Sequence, residues 1–129
     1  MNRFVIDTSA WIDYLSGSPK GKKVELLLSS EQAEILITGL IVAEVATLYL
    51  KQGTSSSGPI EVLKSLARLM PFGIEAGKRT AEIYVHFRKS KPKFGIADAH
   101  IVALAEMHNA KLITCDFEFS GLPNVKIIQ

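Results

Sequence analysis

Short apolar runs alternate along this chain with longer stretches of helical periodicity. Arg3 to Asp7 reads as a buried strand, closed by Asp7-Thr8-Ser9, whose carboxylate and hydroxyls suit the cap of a helix carrying Trp11, Ile12 and Leu15. Gly17, Ser18 and Pro19 break that helix, and Val24 to Leu28 continues as another. Glu34 to Thr38, around Ile35, Leu36 and Ile37, predicts a second strand, and Leu40 to Leu50 is long and apolar enough for a buried helix. Gly53 to Pro59 is a flexible loop, with Pro59 in the first turn of a helix over Ile60 to Leu69, where a missing N–H costs nothing. A short extended piece near Pro71 to Gly73 leads into a helix from Glu75 to Lys89, closed by Ser90 and Pro92. Ile96 to Asn109 is the last helix, Lys111 to Thr114 a strand and Val125 to Ile128 a final strand. Strands alternating with helices predict an α/β fold with a mostly parallel sheet covered on both faces, because parallel strands need helical crossovers.

Composition narrows the picture. A chain of 129 residues, 47% hydrophobic and 22% charged, suits one compact domain over residues 1–129, without internal repeats. No apolar stretch approaches the roughly 20 residues of a membrane span, and Asp7 interrupts any leader-like core, so a cytoplasmic location without membrane association is expected. The single cysteine, Cys115, excludes an internal disulfide and a multi-cysteine zinc site. With 15 Lys plus Arg against 13 Asp plus Glu, overall charge predicts no strong anion binding, and any nucleic-acid contact depends on local clustering.

Four acids stand where acids are costly. Glu44 is the only charged residue between Gly39 and Leu50, and Asp98 the only one from Gly95 through Ala105. Desolvating a carboxylate costs several kcal/mol unless it is paired or binds a metal. Asp7 and Asp116 each follow the carboxyl end of a predicted strand, where ligand crevices of open α/β sheets lie. Each position also has a structural explanation. Asp7 and Asp98 suit helix caps, Asp116 a turn, and Glu44 a rim position reaching solvent.

If the four converge, like charges without Lys or Arg stay ionised best around a divalent cation. Oxygen-only ligands select Mg²⁺ or Mn²⁺, and His86, His100 and His108 show no zinc-ligand spacing. His100, two residues from Asp98, points to another helix face and reads as a packed or surface histidine. Cys115, flanking Asp116 in an extended segment, reads as a small packed residue and not a nucleophile. Such an oxygen site suits phosphodiester hydrolysis, in which a metal lowers the pKa of the attacking water and offsets charge on the phosphate.

At these residues the chain resembles PIN-domain ribonucleases, and most closely the VapC-type toxins of prokaryotic toxin–antitoxin pairs. The resemblance rests on Val5-Ile6-Asp7-Thr8-Ser9, on Glu44 in the helix after the second strand, on Ala97-Asp98-Ala99, and on Thr114-Cys115-Asp116-Phe117-Glu118-Phe119. It implies a PIN-like three-layer α/β/α sandwich in which Asp7, Glu44, Asp98 and Asp116 form a Mg²⁺/Mn²⁺ site that hydrolyses RNA. It also implies supporting hydroxyls at Ser9 and Thr114, which otherwise read as capping or turn residues. Glu118 departs from the pattern by standing where Asp is usual, and a surface position accounts for it.

A nuclease needs cations for the substrate backbone, and the densest basic run is Arg88, Lys89, Lys91 and Lys93, just before the helix of Asp98. A solvated helix end explains the same run. Lys20, Lys22 and Lys23 form a second cluster with the same two explanations. Tyr14, Leu15, Tyr49, Leu50, Ile60, Leu63 and Leu66 supply either core or an interface. The resemblance implies a homodimer and a cognate antitoxin on such an apolar surface. Two other functions compete: a non-catalytic PIN-like RNA- or protein-binding module, and a phosphatase with Asp7 as nucleophile, disfavoured because Ser9 stands where its second Asp belongs.

Overall fold

The computed structural model describes residues 2–29 and 32–129. Its strands are β1 (Asn2–Ile6), β2 (Ala33–Ile37), β3 (Ala67–Leu69), β4 (Lys111–Thr114) and β5 (Val125–Ile127), joined in one parallel sheet of order β3-β2-β1-β4-β5. Helices α1 (Thr8–Ser16) and α2 (Pro19–Leu28) connect β1 to β2, and α3 (Gly39–Lys51) and α4 (Ser57–Leu66) connect β2 to β3. The chain then crosses to the other side of β1 through α5 (Ile74–Arg88) and α6 (Ile96–Met107). Right-handed crossovers running in opposite directions along the sheet put α1 to α4 on one face and α5 with α6 on the other. The result is the expected parallel sheet between helical layers.

The sheet interior explains the apolar runs. Val5, Ile6, Leu36, Leu112 and Ile113 are fully buried, as strands covered on both faces require. Trp11, Phe94 and Phe119 fill the largest spaces between sheet and helices. Phe94 packs edge-on against Phe119, which a short 3₁₀ turn over Phe117–Phe119 carries inward.

Several boundaries differ from the sequence reading. The Ile60 to Leu69 segment is divided: its helix begins earlier, at Ser57, and ends at Leu66, while Ala67, Arg68 and Leu69 pair with Ile35, Leu36 and Ile37 as an edge strand. Three residues are too few to show a period of two, and pairing along the open edge of β2 outweighs the apolar helical pattern. The flexible loop before it is correspondingly shorter, and Pro59 falls inside the first turn of α4. Pro71 to Gly73 is the expected short piece before α5, outside the sheet, with Gly73 extended at the N-cap. Pro19 begins α2 instead of ending α1, with Ser18 capping the Gly21 N–H. Asp7 lies beyond β1 as the N-cap of α1, and the last helix stops at Met107 because Asn109 adopts a left-handed conformation.

Of the glycines, Gly21 stands closest to a neighbouring helix. A Cβ there would stand 1.9 Å from the Asp13 carbonyl oxygen, so only glycine lets α2 turn back against the end of α1. Gly77, on the exposed side of α5, has nothing within 4 Å of the same atom. Thermal or urea unfolding should therefore show opposite signs. Gly21→Ala should cost about 1–3 kcal/mol through overpacking, whereas Gly77→Ala should add roughly 0.5–1 kcal/mol through helix propensity.

Candidate active site

Sheet order reverses between β1 and β4, and the carboxyl ends of the strands at such a junction are where open α/β sheets bind ligands. Asp7 closes β1 there, its N–H bonded to the Ile113 carbonyl of β4 at 2.9 Å. The Asp7 side chain is 8% exposed and held on both oxygens. Oδ1 accepts the Thr8 N–H at 2.7 Å, while Oδ2 accepts the hydroxyls of Ser9 at 3.0 Å and Thr114 at 2.8 Å. Those hydroxyls accept in turn from the backbone of the next strand end, Ser9 Oγ from the Cys115 N–H and Thr114 Oγ1 from the Asp116 N–H. One small network thus fixes the orientation of Asp7 and the path of the chain into Asp116.

Burial is the largest influence on Asp7 and pushes its pKa up to about 6; the three hydrogen bonds oppose this, and the Asp98 charge adds to it. Asp98 occupies the first turn of α6, where its Oδ2 accepts the Gly95 N–H at 2.7 Å. Burial raises its carboxyl above the usual range against that hydrogen bond, and the charges of Asp116, Glu44 and Glu118 raise it further. Glu44 lies half-buried on α3, with Oε1 accepting the Thr8 hydroxyl at 2.9 Å. Asp116 is exposed and turns Oδ1 back to the Glu118 N–H. The carboxylates therefore share one electrostatic field centred on Asp98, but each takes a separate donor. Among the described residues, no three ligand side chains stand close enough together to chelate an ion.

The donor set nevertheless fits a hard divalent cation. It is all oxygen, and the ion pairs among the described residues, Lys64–Glu61, Arg68–Glu34, Arg79–Glu82 and Arg79–Glu106, leave these acids without a basic partner. Asp7, Glu44, Asp98 and Asp116 are the residues that could hold Mg²⁺ or Mn²⁺.

Two residues do more than the sequence reading assigns them, which is a capping hydroxyl for Thr8 and a surface position for Glu118. Thr8 reaches Asp7 through its N–H and Glu44 through its hydroxyl, tying α1 to α3; its position directly after Asp7 was the available signal. Glu118 is half-buried and acts on Asp98, a role that spacing alone does not reveal. Cys115 is inert by environment, since burial and then Asp13 push its thiol up to about 11.

The basic run borders the acids. Arg88 donates to the Tyr84 hydroxyl at 2.9 Å and to the Phe94 carbonyl at 3.2 Å, next to the Gly95 that holds Asp98. Lys91 donates to the Ser120 carbonyl at 3.0 Å, while Lys89 and Lys93 are exposed. His100 is buried, 4% exposed, in contact with Thr38 and the Ala97 carbonyl. Burial holds its ring below the usual histidine pKa, against the Ala97 hydrogen bond and the Glu44 and Asp98 charges.

A family model described as PIN domain matches residues 4–124. The chain belongs to the PIN domain family. Among its relatives is Ribonuclease VapC11 from Mycobacterium tuberculosis, 29% identical, with the alignment covering 97% of this chain and 95% of that one. A toxin–antitoxin complex from Klebsiella pneumoniae contains a chain 25% identical to this PIN domain, with TM-score 0.69 and 97% of each chain covered. VapBC2 from Rickettsia felis, crystallised with a DNA fragment from its promoter, shares the fold at TM-score 0.77 and 17% identity, covering 98% of this chain and 99% of that one. Among the described residues of this PIN domain, no helix is long and apolar enough to cross a membrane.

The raised Asp7 pKa gives a signed stability prediction. From about pH 4 to 6 the unfolded chain releases this proton while the folded protein keeps it, so stability falls as pH rises through that window. The full shift corresponds to about 3 kcal/mol at neutral pH. Asp7→Asn should unfold at higher temperature than wild type at pH 7 and lose this part of the pH slope, as calorimetry from pH 3.5 to 8 would show.

Proposed function

We propose that this PIN domain is a Mg²⁺- or Mn²⁺-dependent endoribonuclease, the toxin of a toxin–antitoxin pair, acting as one domain over residues 1–129 and as a homodimer in the cytoplasm. The observation that carries the reading is the coupling of Asp98 to Asp116, Glu44 and Glu118 without a basic partner, beside a buried Asp7. Membership of the PIN domain family and the relative named Ribonuclease VapC11 support RNA as substrate. The similar chain from a Klebsiella pneumoniae toxin–antitoxin complex supports a cognate antitoxin.

When bound, the divalent ion lowers the pKa of a water and offsets charge on the phosphate. Asp7, Glu44, Asp98 and Asp116 would hold it, and the Ser9 and Thr114 hydroxyls fix the orientation of the Asp7 carboxylate. Thr8 occupies Oε1 of Glu44 and leaves Oε2 to orient the attacking water and take its proton. Arg88, Lys89, Lys91 and Lys93 hold the RNA backbone beside the acids; Arg88 is already fixed against Phe94. For the partners, Leu50 and Leu66 are 60% and 39% exposed and provide apolar surface, whereas Leu63 belongs to the core.

Cleavage of a structured RNA pool tests this directly. Wild type should cut with Mg²⁺ or Mn²⁺, stop in EDTA, and leave 5′-phosphate and 3′-hydroxyl ends. Asp98→Asn should abolish the reaction, and Glu44→Gln should fold normally but slow it roughly 10²–10⁴-fold. Cyclic 2′,3′-phosphate ends, or wild-type rates in these variants, would overturn the reading. A protein that binds RNA but neither cleaves it nor takes up Mn²⁺ would be a binding module.

A further inference from the structure

Glu44 and Asp98 reach the crevice from helices on opposite faces of the sheet, so their separation depends on what fixes α3 against α6. Among the described residues, one side-chain hydrogen bond joins α6 to the segment that starts α3: His100 Nε2 to Thr38 Oγ1, at 2.8 Å. Both partners are buried, at 4% and 3% exposure. The other ring nitrogen, Nδ1, lies 2.6 Å from the carbonyl of Ala97, the residue before Asp98. A carbonyl only accepts, so Nδ1 carries the proton; in the neutral ring Nε2 then accepts the Thr38 hydroxyl. Thr38 Oγ1 in turn accepts the Ile41 N–H and caps the helix of Glu44. The Phe72 ring packs edge-on against His100, with centroids 5.3 Å apart, and closes the remaining side.

We propose that His100 and Thr38 form a positioning clip that sets the spacing of Glu44 and Asp98 for a divalent cation. The inference rests on the metal-site reading and adds to it two residues that do not touch the ion. The physical demand is strict: Mg²⁺ requires near-octahedral oxygens at about 2.0–2.1 Å, so a small lateral shift of one helix against the other costs affinity. The imidazole spans from the backbone beside Asp98 to the cap of the Glu44 helix. A leucine fills the same space but makes neither hydrogen bond. A glutamine can place its amide oxygen near the Nε2 position, where it accepts the Thr38 hydroxyl.

The test is calorimetric Mn²⁺ titration of the whole protein, with unfolding temperature measured on the same samples. His100→Leu and Thr38→Val should each weaken Mn²⁺ binding about tenfold or more, in the range of lost ligand-orienting partners. The double variant should bind little worse than either single one, because each change breaks the same contact. His100→Gln and Thr38→Ser should restore affinity to within a few-fold of wild type. A merely structural role would lower the unfolding temperature of His100→Leu and Thr38→Val while leaving Mn²⁺ affinity unchanged, and that result overturns the clip. Additive losses in the double variant overturn it as well. Wild type that takes up no Mn²⁺ overturns the metal-site reading on which the clip rests. If His100→Leu does not fold, Thr38→Val and Thr38→Ser carry the comparison alone.

Discussion

A carboxylate held out of water at the point where sheet order reverses governs the rest of this structure. Asp7 cannot be buried alone, and the chain supplies three hydrogen bonds to it from Thr8, Ser9 and Thr114. These donors come from the start of α1 and the end of β4, so satisfying Asp7 also locks the two strand ends that frame the crevice. The bonds do not offset desolvation fully, which leaves the carboxyl with a pKa near 6 and the folded protein less stable than an amide would make it. Burial raises the Asp98 carboxyl in the same way, and perturbed carboxyls gathered in one place are a mark of candidate functional sites.

From that point the geometry spreads outward by helix placement. The α6 N-terminus brings Asp98 to the crevice from one face, and α3 brings Glu44 from the other, joined to α1 through Thr8. Phe94 and Phe119 bury the chain on either side of the acids, so the basic segment before Asp98 and the 3₁₀ turn after Asp116 are anchored by core packing. Cations and carboxylates are therefore neighbours without being paired. In the proposed metal-dependent nuclease, that separation would let the cations meet the substrate backbone while the acids hold the ion.

Much of the fold was legible because most apolar stretches had a clear period. Leu112 and Ile113 read as interior strand, and Trp11 with Leu15 as a helix face. The third strand was illegible for a physical reason: Ala67, Arg68 and Leu69 are extended by pairing with β2, not by any preference of their own. Among the acids, Glu44 and Asp98 stood out as lone charges in apolar helices, and Asp7 and Asp116 as strand ends. Their common field, and the part Glu118 plays in it, depended on the crossing between β3 and β4, which no local pattern encodes. The Thr38–His100 contact joins residues far apart in sequence and on different elements, so it emerges only from the fold.

We propose that the Asp7 carboxyl, which burial leaves partly protonated near pH 6, is fully ionised by a cation shared with its neighbours. Proton release on Mn²⁺ binding measures this most directly, by titrating the protein at pH 6 and at pH 8 in buffers of different ionisation enthalpy. With Asp7 near pKa 6, the account predicts release of about half a proton or more per ion at pH 6, falling toward zero at pH 8. Binding without proton release at both pH values would contradict it.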